Sequence, residues 1–196
     1  MVATPVLILP GLLEDADAFQ HQVEGLRESA VCRVADLTRA DTIGELARQA
    51  LGQAPEGRFA LAGHSMGGYV ALEIMRQAPQ RIDRLALLNT HARADSPEAA
   101  ENRRRLMALA IGKDAFLKQQ RAIIARIDSR PHLGKIACPT LVIAARQDAL
   151  MPLELLEELA HGIPQATLGI VEDSGHMASI EQPGKMTDLL RAWLQG

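Results

Sequence analysis

Phe59-Ala60-Leu61-Ala62-Gly63-His64-Ser65-Met66-Gly67-Gly68 is the stretch whose reading decides the fold. Phe59–Ala62 is an apolar run of strand length, and Met66 to Gln77 reads as a mostly apolar helix closed by Pro79. Only a tight bend fits between them. A strand that passes through such a bend directly into a helix is the context in which G-x-S-x-G holds a serine hydroxyl over the carboxyl end of a sheet. Gly63 and Gly67 leave out side chains that would collide in that turn. The alternative is a small-residue turn without chemistry.

Outward from this stretch, short apolar runs alternate with helical patterns. Six strands are expected, near Val6–Leu9, Val31–Asp36, Phe59–Ala62, Arg84–Leu88, Thr140–Ala145 and Thr167–Val171. Helices are expected over Asp17 to Glu28, from the Thr42-x-x-Glu45 capping box to Leu51, over Met66 to Gln77, from Pro152 to His161, and over Gly184 to Leu194. The pattern predicts an α/β fold: a three-layer sandwich around a mainly parallel, six-stranded sheet. Residues 92–138 break the alternation with 47 residues that carry no strand signal. Two helices are expected there. A charged one runs from Ser96-Pro97 to Ile111, and a second, Asp114 to Ile127, has Phe116, Leu117, Ile123, Ile124 and Ile127 as its apolar stripe. Arg103-Arg104-Arg105 reads as a solvated helix face rather than an anion site.

Composition narrows the function. A chain of 196 residues with 47% hydrophobic and 23% charged residues has the makings of one domain with a full core. Its net charge of -3 offers no basic surface for nucleic acid, and 3% aromatic residues are too few for stacking platforms. Cys32 and Cys138 make neither a disulfide framework nor a metal site and are expected as buried free thiols. No signal peptide and no stretch long enough to span a bilayer is visible, so a cytoplasmic setting without membrane contact is expected.

A serine hydroxyl needs an adjacent base. Of the six histidines, His176 follows the last expected strand on the polar loop Glu172-Asp173-Ser174-Gly175-His176. An acid is expected after the penultimate strand, where Asp148 stands. Asp148 is also suited to cap the helix that begins near Pro152, and Asp173 is the reserve candidate. The order Ser65, Asp148, His176 matches that of a nucleophile–acid–base set in this architecture. Two backbone N–H groups are expected to hold a developing oxyanion: that of Met66, and that of Leu12 in the loop Leu9-Pro10-Gly11-Leu12-Leu13. His64 suits either the site or packing in the turn, and His91 either the pocket mouth or an ordinary loop. If the second strand lies on one side of the first and the third on the other, the order reverses there and a crevice opens above Leu12 and Ser65.

With these residues in place, the chain resembles the α/β-hydrolase superfamily over nearly its whole length. The Pro10-Gly11-Leu12 loop, Gly63-His64-Ser65-Met66-Gly67-Gly68, the run Pro139-Thr140-Leu141-Val142-Ile143 leading to Asp148, and Ser174-Gly175-His176-Met177 carry the resemblance. Asp128-Ser129-Arg130-Pro131 and Glu181-Gln182-Pro183 are similar to small, single-domain bacterial carboxylesterases. Two departures stand out. The chain starts at what would be the family's third strand, lacking its N-terminal hairpin, and residues 92–138 are short for the family's helical cap. Met107-Ala108-Leu109-Ala110 passes directly to Ile111-Gly112-Lys113-Asp114, where relatives have further helices. A reduced lid implies an open site, broad substrate tolerance and an apolar face suited to self-association.

The resemblance implies a single hydrolase domain over 1–196 that cleaves small carboxylic esters with Ser65, His176 and Asp148. No cofactor or metal motif is visible, and a serine nucleophile argues against dehalogenase or epoxide hydrolase chemistry. Leu13, His91, Met151 and Met177 are the expected pocket residues, from their adjacency to the catalytic loops. Three rivals stay open: a thioesterase, amidase or acyltransferase with the same residues, a lyase or C–C hydrolase, and a binding protein without turnover.

Overall fold

Alternate residues of each central strand feed opposite cores. In β1 (Thr4–Leu9), Leu7 and Leu9 enter one cluster while Val6 and Ile8 enter the other. β3 (Phe59–His64) sends Phe59 and Leu61 one way and Ala60 and Ala62 the other. β4 (Ile82–Leu88) and β5 (Thr140–Ala145) divide in the same manner, Leu85 and Leu87 against Ala86 and Leu88, and Val142 and Ala144 against Leu141 and Ile143. Strands buried on both faces read as continuous apolar runs, which is why they were visible as such in the sequence.

This computed structural model describes residues 3–109 and 114–196. With β2 (Ala30–Val34) and β6 (Ala166–Val171), the strands form one sheet in the order β2-β1-β3-β4-β5-β6. All five pairings are parallel. The order reverses at β1, which places the crevice between the carboxyl ends of β1 and β3.

One face is covered by α2 (Ile43–Gln53), α3 (Met66–Gln77) and α7 (Leu153–Gly162). The other is covered by α1 (Gln20–Gly25), α8 (Ala178–Glu181) and α9 (Pro183–Gln195), through Met186, Leu190 and Trp193. Half of the expected capping box of α2 is present: Thr42 Oγ1 accepts the Glu45 N–H at 3.2 Å, while the Glu45 carboxylate pairs with Arg48 instead of the Thr42 N–H. Among the described residues, no helix is long and apolar enough to cross a membrane, and no three His, Cys, Asp or Glu side chains gather as metal ligands.

Local chemistry moves several expected boundaries. β2 stops at Val34 because Asp36 turns its carboxylate onto Thr38 N–H (2.9 Å) and Arg39 (2.7 Å) instead of continuing the ladder. The first helical segment splits into a 3-10 turn, Ala16–Phe19, capped by Asp15, followed by the short α1. Pro152 precedes α7 as its cap rather than opening its first turn. Cys32 and Cys138 are free, as expected, but half-buried rather than buried.

Between β4 and β5 lie α4 (Pro97–Leu109), α5 (Asp114–Ile124) and the short α6 (Arg130–Leu133). The expected passage from Ala110 through Lys113 lies outside the described residues. The buried face of α5 shares only Ile123 with the expected stripe. Gln119, Gln120, Ala122 and Ile123 are buried, while Phe116, Leu117 and Ile124 are only half-buried. Ile127, expected as the last residue of the stripe, is past the helix end and 52% exposed.

Candidate active site

β3 ends in a turn that only small residues can make. Ser65 sits at φ 50°, ψ −115°, an unfavourable conformation for a residue with a side chain. The surroundings hold it there: its N–H donates to Leu88 carbonyl (2.9 Å), and its own carbonyl accepts from the Thr90 hydroxyl (2.8 Å). A Cβ on Gly68 would lie 2.5 Å from Thr90 Cγ2 and 2.6 Å from its Cβ. The glycines therefore let α3 start against the neighbouring backbone with the Ser65 hydroxyl lifted over the sheet.

The structure brings the three expected side chains together. Ser65 Oγ is 2.9 Å from His176 Nε2, and His176 Nδ1 is 2.8 Å from Asp148 Oδ2. Asp148 does both things its sequence position suggested. Oδ1 accepts the N–H groups of Leu150 (2.9 Å) and Met151 (3.0 Å), capping the turn, while Oδ2 faces the imidazole. Its side chain is fully buried. Burial pushes its pKa up, but hydrogen bonds from His176, Asn89 and the Met151 N–H outweigh it, so the carboxyl is held below its ordinary value. Asn89, buried at φ 46°, donates its contact to Asp148 Oδ2 at 2.8 Å. Sequence reasoning missed it. Asp173, the reserve acid, is an exposed turn residue at φ 57°, and its nearest charged partner is Lys185 at 3.9 Å.

The loop after β1 is built around Glu14, also missed. Its carboxylate accepts the Gly11 N–H (2.7 Å) and lies 2.9 Å from His64 Nδ1. His64 Nε2 donates to the His176 carbonyl at 3.0 Å. His64 is thus packed in the turn and ties the β1 loop to the His176 loop. No described residue accepts the N–H of Leu12 or of Met66, and both residues line the cleft above Ser65.

That cleft has a volume of about 300 Å³. Of the expected pocket residues, Met151 and Met177 line it, and Leu13 and His91 do not. Leu13 stands at φ 60° with its side chain 55% exposed, because its N–H is drawn to Gln119 Oε1 (3.1 Å). His91 lies behind Tyr69, with Nε2 3.2 Å from the tyrosine hydroxyl and Nδ1 accepting from Arg93 N–H. Burial, and then the Arg126 charge, push its pKa down to about 4. Tyr69, Ile123, Leu150, Glu14 and Arg103 complete the lining. Arg103 is a correction to the solvated-face reading of 103–105. Arg104 and Arg105 are exposed beside Glu101, whereas Arg103 turns inward with its side chain 23% exposed.

Gln119 holds the β1 loop to α5. It accepts from Leu13 and donates to the Leu37 carbonyl (3.1 Å), and it is fully buried. Gln119→Ala leaves both backbone groups without their partner and is expected to cost about 1–3 kcal/mol. Calorimetry would register a Tm fall of about 2–10 °C.

A family model described as a thioesterase domain matches residues 5–122. A second, described as the alpha/beta hydrolase fold, matches 94–183. The chain belongs to the α/β-hydrolase superfamily. Among its relatives is RutD of Azorhizobium caulinodans, named for an inferred carbamate hydrolase activity, with 28% identity over an alignment of 240 positions, covering 95% of this chain and 89% of the relative. RutD of Agrobacterium fabrum, similarly named, is 28% identical and covers 64% of this chain and 63% of its own length. Among solved structures, a thermophilic esterase from Thermogutta terrifontis with malate bound has a TM-score of 0.87 and 28% identity, covering 98% of this chain and 90% of that one. An enol-lactonase from Burkholderia xenovorans also reaches 0.87, at 23% identity over 100% of this chain and 93% of that one, a likeness of fold. These hydrolase relatives frame the activity of this superfamily member; its own substrate has to come from its site.

Proposed function

We propose that this α/β hydrolase is a serine hydrolase of small carboxylic esters. The observation that carries the reading is the unbroken hydrogen-bond chain Ser65 Oγ–His176–Asp148, at a cleft also lined by Leu12 and Met66, whose N–H groups have no acceptor among the described residues.

His176 Nε2 takes the Ser65 proton as Oγ attacks the acyl carbon. Asp148 accepts from Nδ1, which sets the tautomer, and its charge stabilises the imidazolium that forms. The negative charge growing on the carbonyl oxygen is met by the Leu12 and Met66 N–H groups, one of which is worth on the order of 3 kcal/mol in comparable sites. His176 then protonates the departing alkoxide. A water molecule, deprotonated by the same imidazole, attacks the acyl-enzyme; the acyl–Oγ bond breaks, His176 returns the proton to Ser65 Oγ, and the acid is released.

In this reading α4 and α5 are a short lid over the cleft. The alignment with the Azorhizobium relative has 240 positions against 196 residues here, so that relative carries at least 44 residues (240 less 196) that this chain lacks. A short lid favours small substrates and broad tolerance.

The same geometry serves a thioester or a carbamate. The thioesterase-domain match and the names of the RutD relatives keep both in view. A panel of butyryl esters, butyryl thioesters and aryl carbamates decides among them. The ester is expected to give the highest kcat/KM; a thioester or carbamate faster by tenfold or more would reassign the leaving group.

A further inference from the structure

Among the described residues, Arg103 is the one charged residue that α4 and α5 contribute to the cleft wall. Its guanidinium is held rather than free to swing. Nε donates to Asp95 Oδ2 (2.7 Å) and Nη1 to Gln120 Oε1 (3.0 Å), both on buried side chains. Among the described residues no acceptor engages Nη2. Asp95 does not cancel the charge, because its other oxygen serves Arg126 (2.6 Å), whose side chain is 4% exposed and stacks on Tyr69 at 4.1 Å. Two guanidinium groups therefore share one carboxylate, with a neutral His91 beside them. The group carries one net positive charge against the cleft. Glu14, the carboxylate of the lining, keeps its negative charge but turns it onto the Gly11 N–H and His64 Nδ1 at the β1 loop.

Arg103 and His176 reach the cleft from different elements. His176, where the leaving group departs, comes from the loop after β6, beside the Asp148 loop after β5. Arg103 belongs to α4; its partner Asp95 lies in the segment after β4 and its partner Gln120 on α5, which is tied through Gln119 to Leu13 and Leu37 on the β1–β2 side of the sheet.

We infer that Arg103 forms an anion subsite for the acyl group, so that the preferred substrates are half-esters of short dicarboxylic acids. The inference rests on the ester reading above and adds the acyl class to it. A carboxylate at the far end of a short acyl chain completes the guanidinium's hydrogen bonding in a partly dry cleft, where charge-assisted bonds are strongest. A neutral acyl chain displaces water from Nη2 without supplying that donor an acceptor.

The test compares nitrophenyl hydrogen glutarate with nitrophenyl valerate, an uncharged acyl chain of the same length. Wild type is expected to favour the anionic ester, and Arg103→Met is expected to lower the ratio of the two kcat/KM values by about 10- to 100-fold. Arg103→Lys should retain part of the preference. Arg104→Met, at an exposed neighbour paired with Glu101, should leave the ratio as in wild type. A ratio unmoved by Arg103→Met, or moved equally by Arg104→Met, overturns the subsite. Should neither ester be hydrolysed, the esterase reading fails, and calorimetric titration of glutarate into Ser65→Ala decides the subsite independently. Binding weakened at least tenfold by adding Arg103→Met supports it; equal binding, or none in either protein, overturns it.

Discussion

Ser65→Ala is expected to lower kcat on a nitrophenyl ester by about 10⁴- to 10⁶-fold, the scale seen when the nucleophile of a serine triad is removed. The substitution deletes one oxygen, and that oxygen is the one bonded to His176 Nε2. The backbone at 65 keeps its bonds to Leu88 and Thr90, so circular dichroism should match wild type. Residual rate would come from the Leu12 and Met66 N–H groups and from binding alone. A loss smaller than tenfold would mean that the proton on Oγ is not the one His176 moves.

Gly67→Ala is expected to prevent folding or to cost more than about 4 kcal/mol, out of a total stability that is typically about 5–15 kcal/mol. A Cβ at 67 would be 2.6 Å from the Leu9 carbonyl carbon and 2.7 Å from the Pro10 carbonyl oxygen, with the Leu9 oxygen closer still. All three are backbone atoms. Leu9 is paired in register with Gly63 on β3, so β1 cannot retreat without breaking the centre of the sheet. Gly52→Ala is the control. That glycine lies in α2 with nothing within 4 Å of its would-be Cβ. It should gain up to about 1 kcal/mol from helix propensity. Thermal melts of both variants check the pair.

What was legible in the sequence follows from periodicity and chain order. The central strands, buried on both faces, leave apolar runs, and a glycine-flanked serine between a strand and a helix marks the turn at Ser65. Asp148 and His176 were legible because the carboxyl ends of a parallel sheet all point one way, so residues just past β5 and β6 arrive at the same edge. Contacts made across the chain were not legible. Asn89 meets Asp148 across 59 residues, and Glu14 meets His64 across 50. Neither residue type announces a partner. The face of α5 misled for a related reason. Apolar spacing selected Phe116 and Leu117, but Gln119 and Gln120 are buried because they hold Leu13, Leu37 and Arg103. Hydrophobic periodicity does not register a polar side chain whose burial is offset by its hydrogen bonds. Arg103 hid in the same way within a run of three arginines, two of which do face solvent.

The most direct measurement is covalent labelling of the native protein with a fluorophosphonate, followed by intact mass and peptide mapping. An activated serine attacks phosphorus and keeps the adduct, so the outcome does not depend on substrate choice. One adduct per chain is expected, on the peptide carrying Ser65, abolished by Ser65→Ala and slowed at least a hundredfold by His176→Ala. A protein that stays unlabelled, or that is labelled at another residue with Ser65 untouched, would contradict the assignment of Ser65 as the nucleophile.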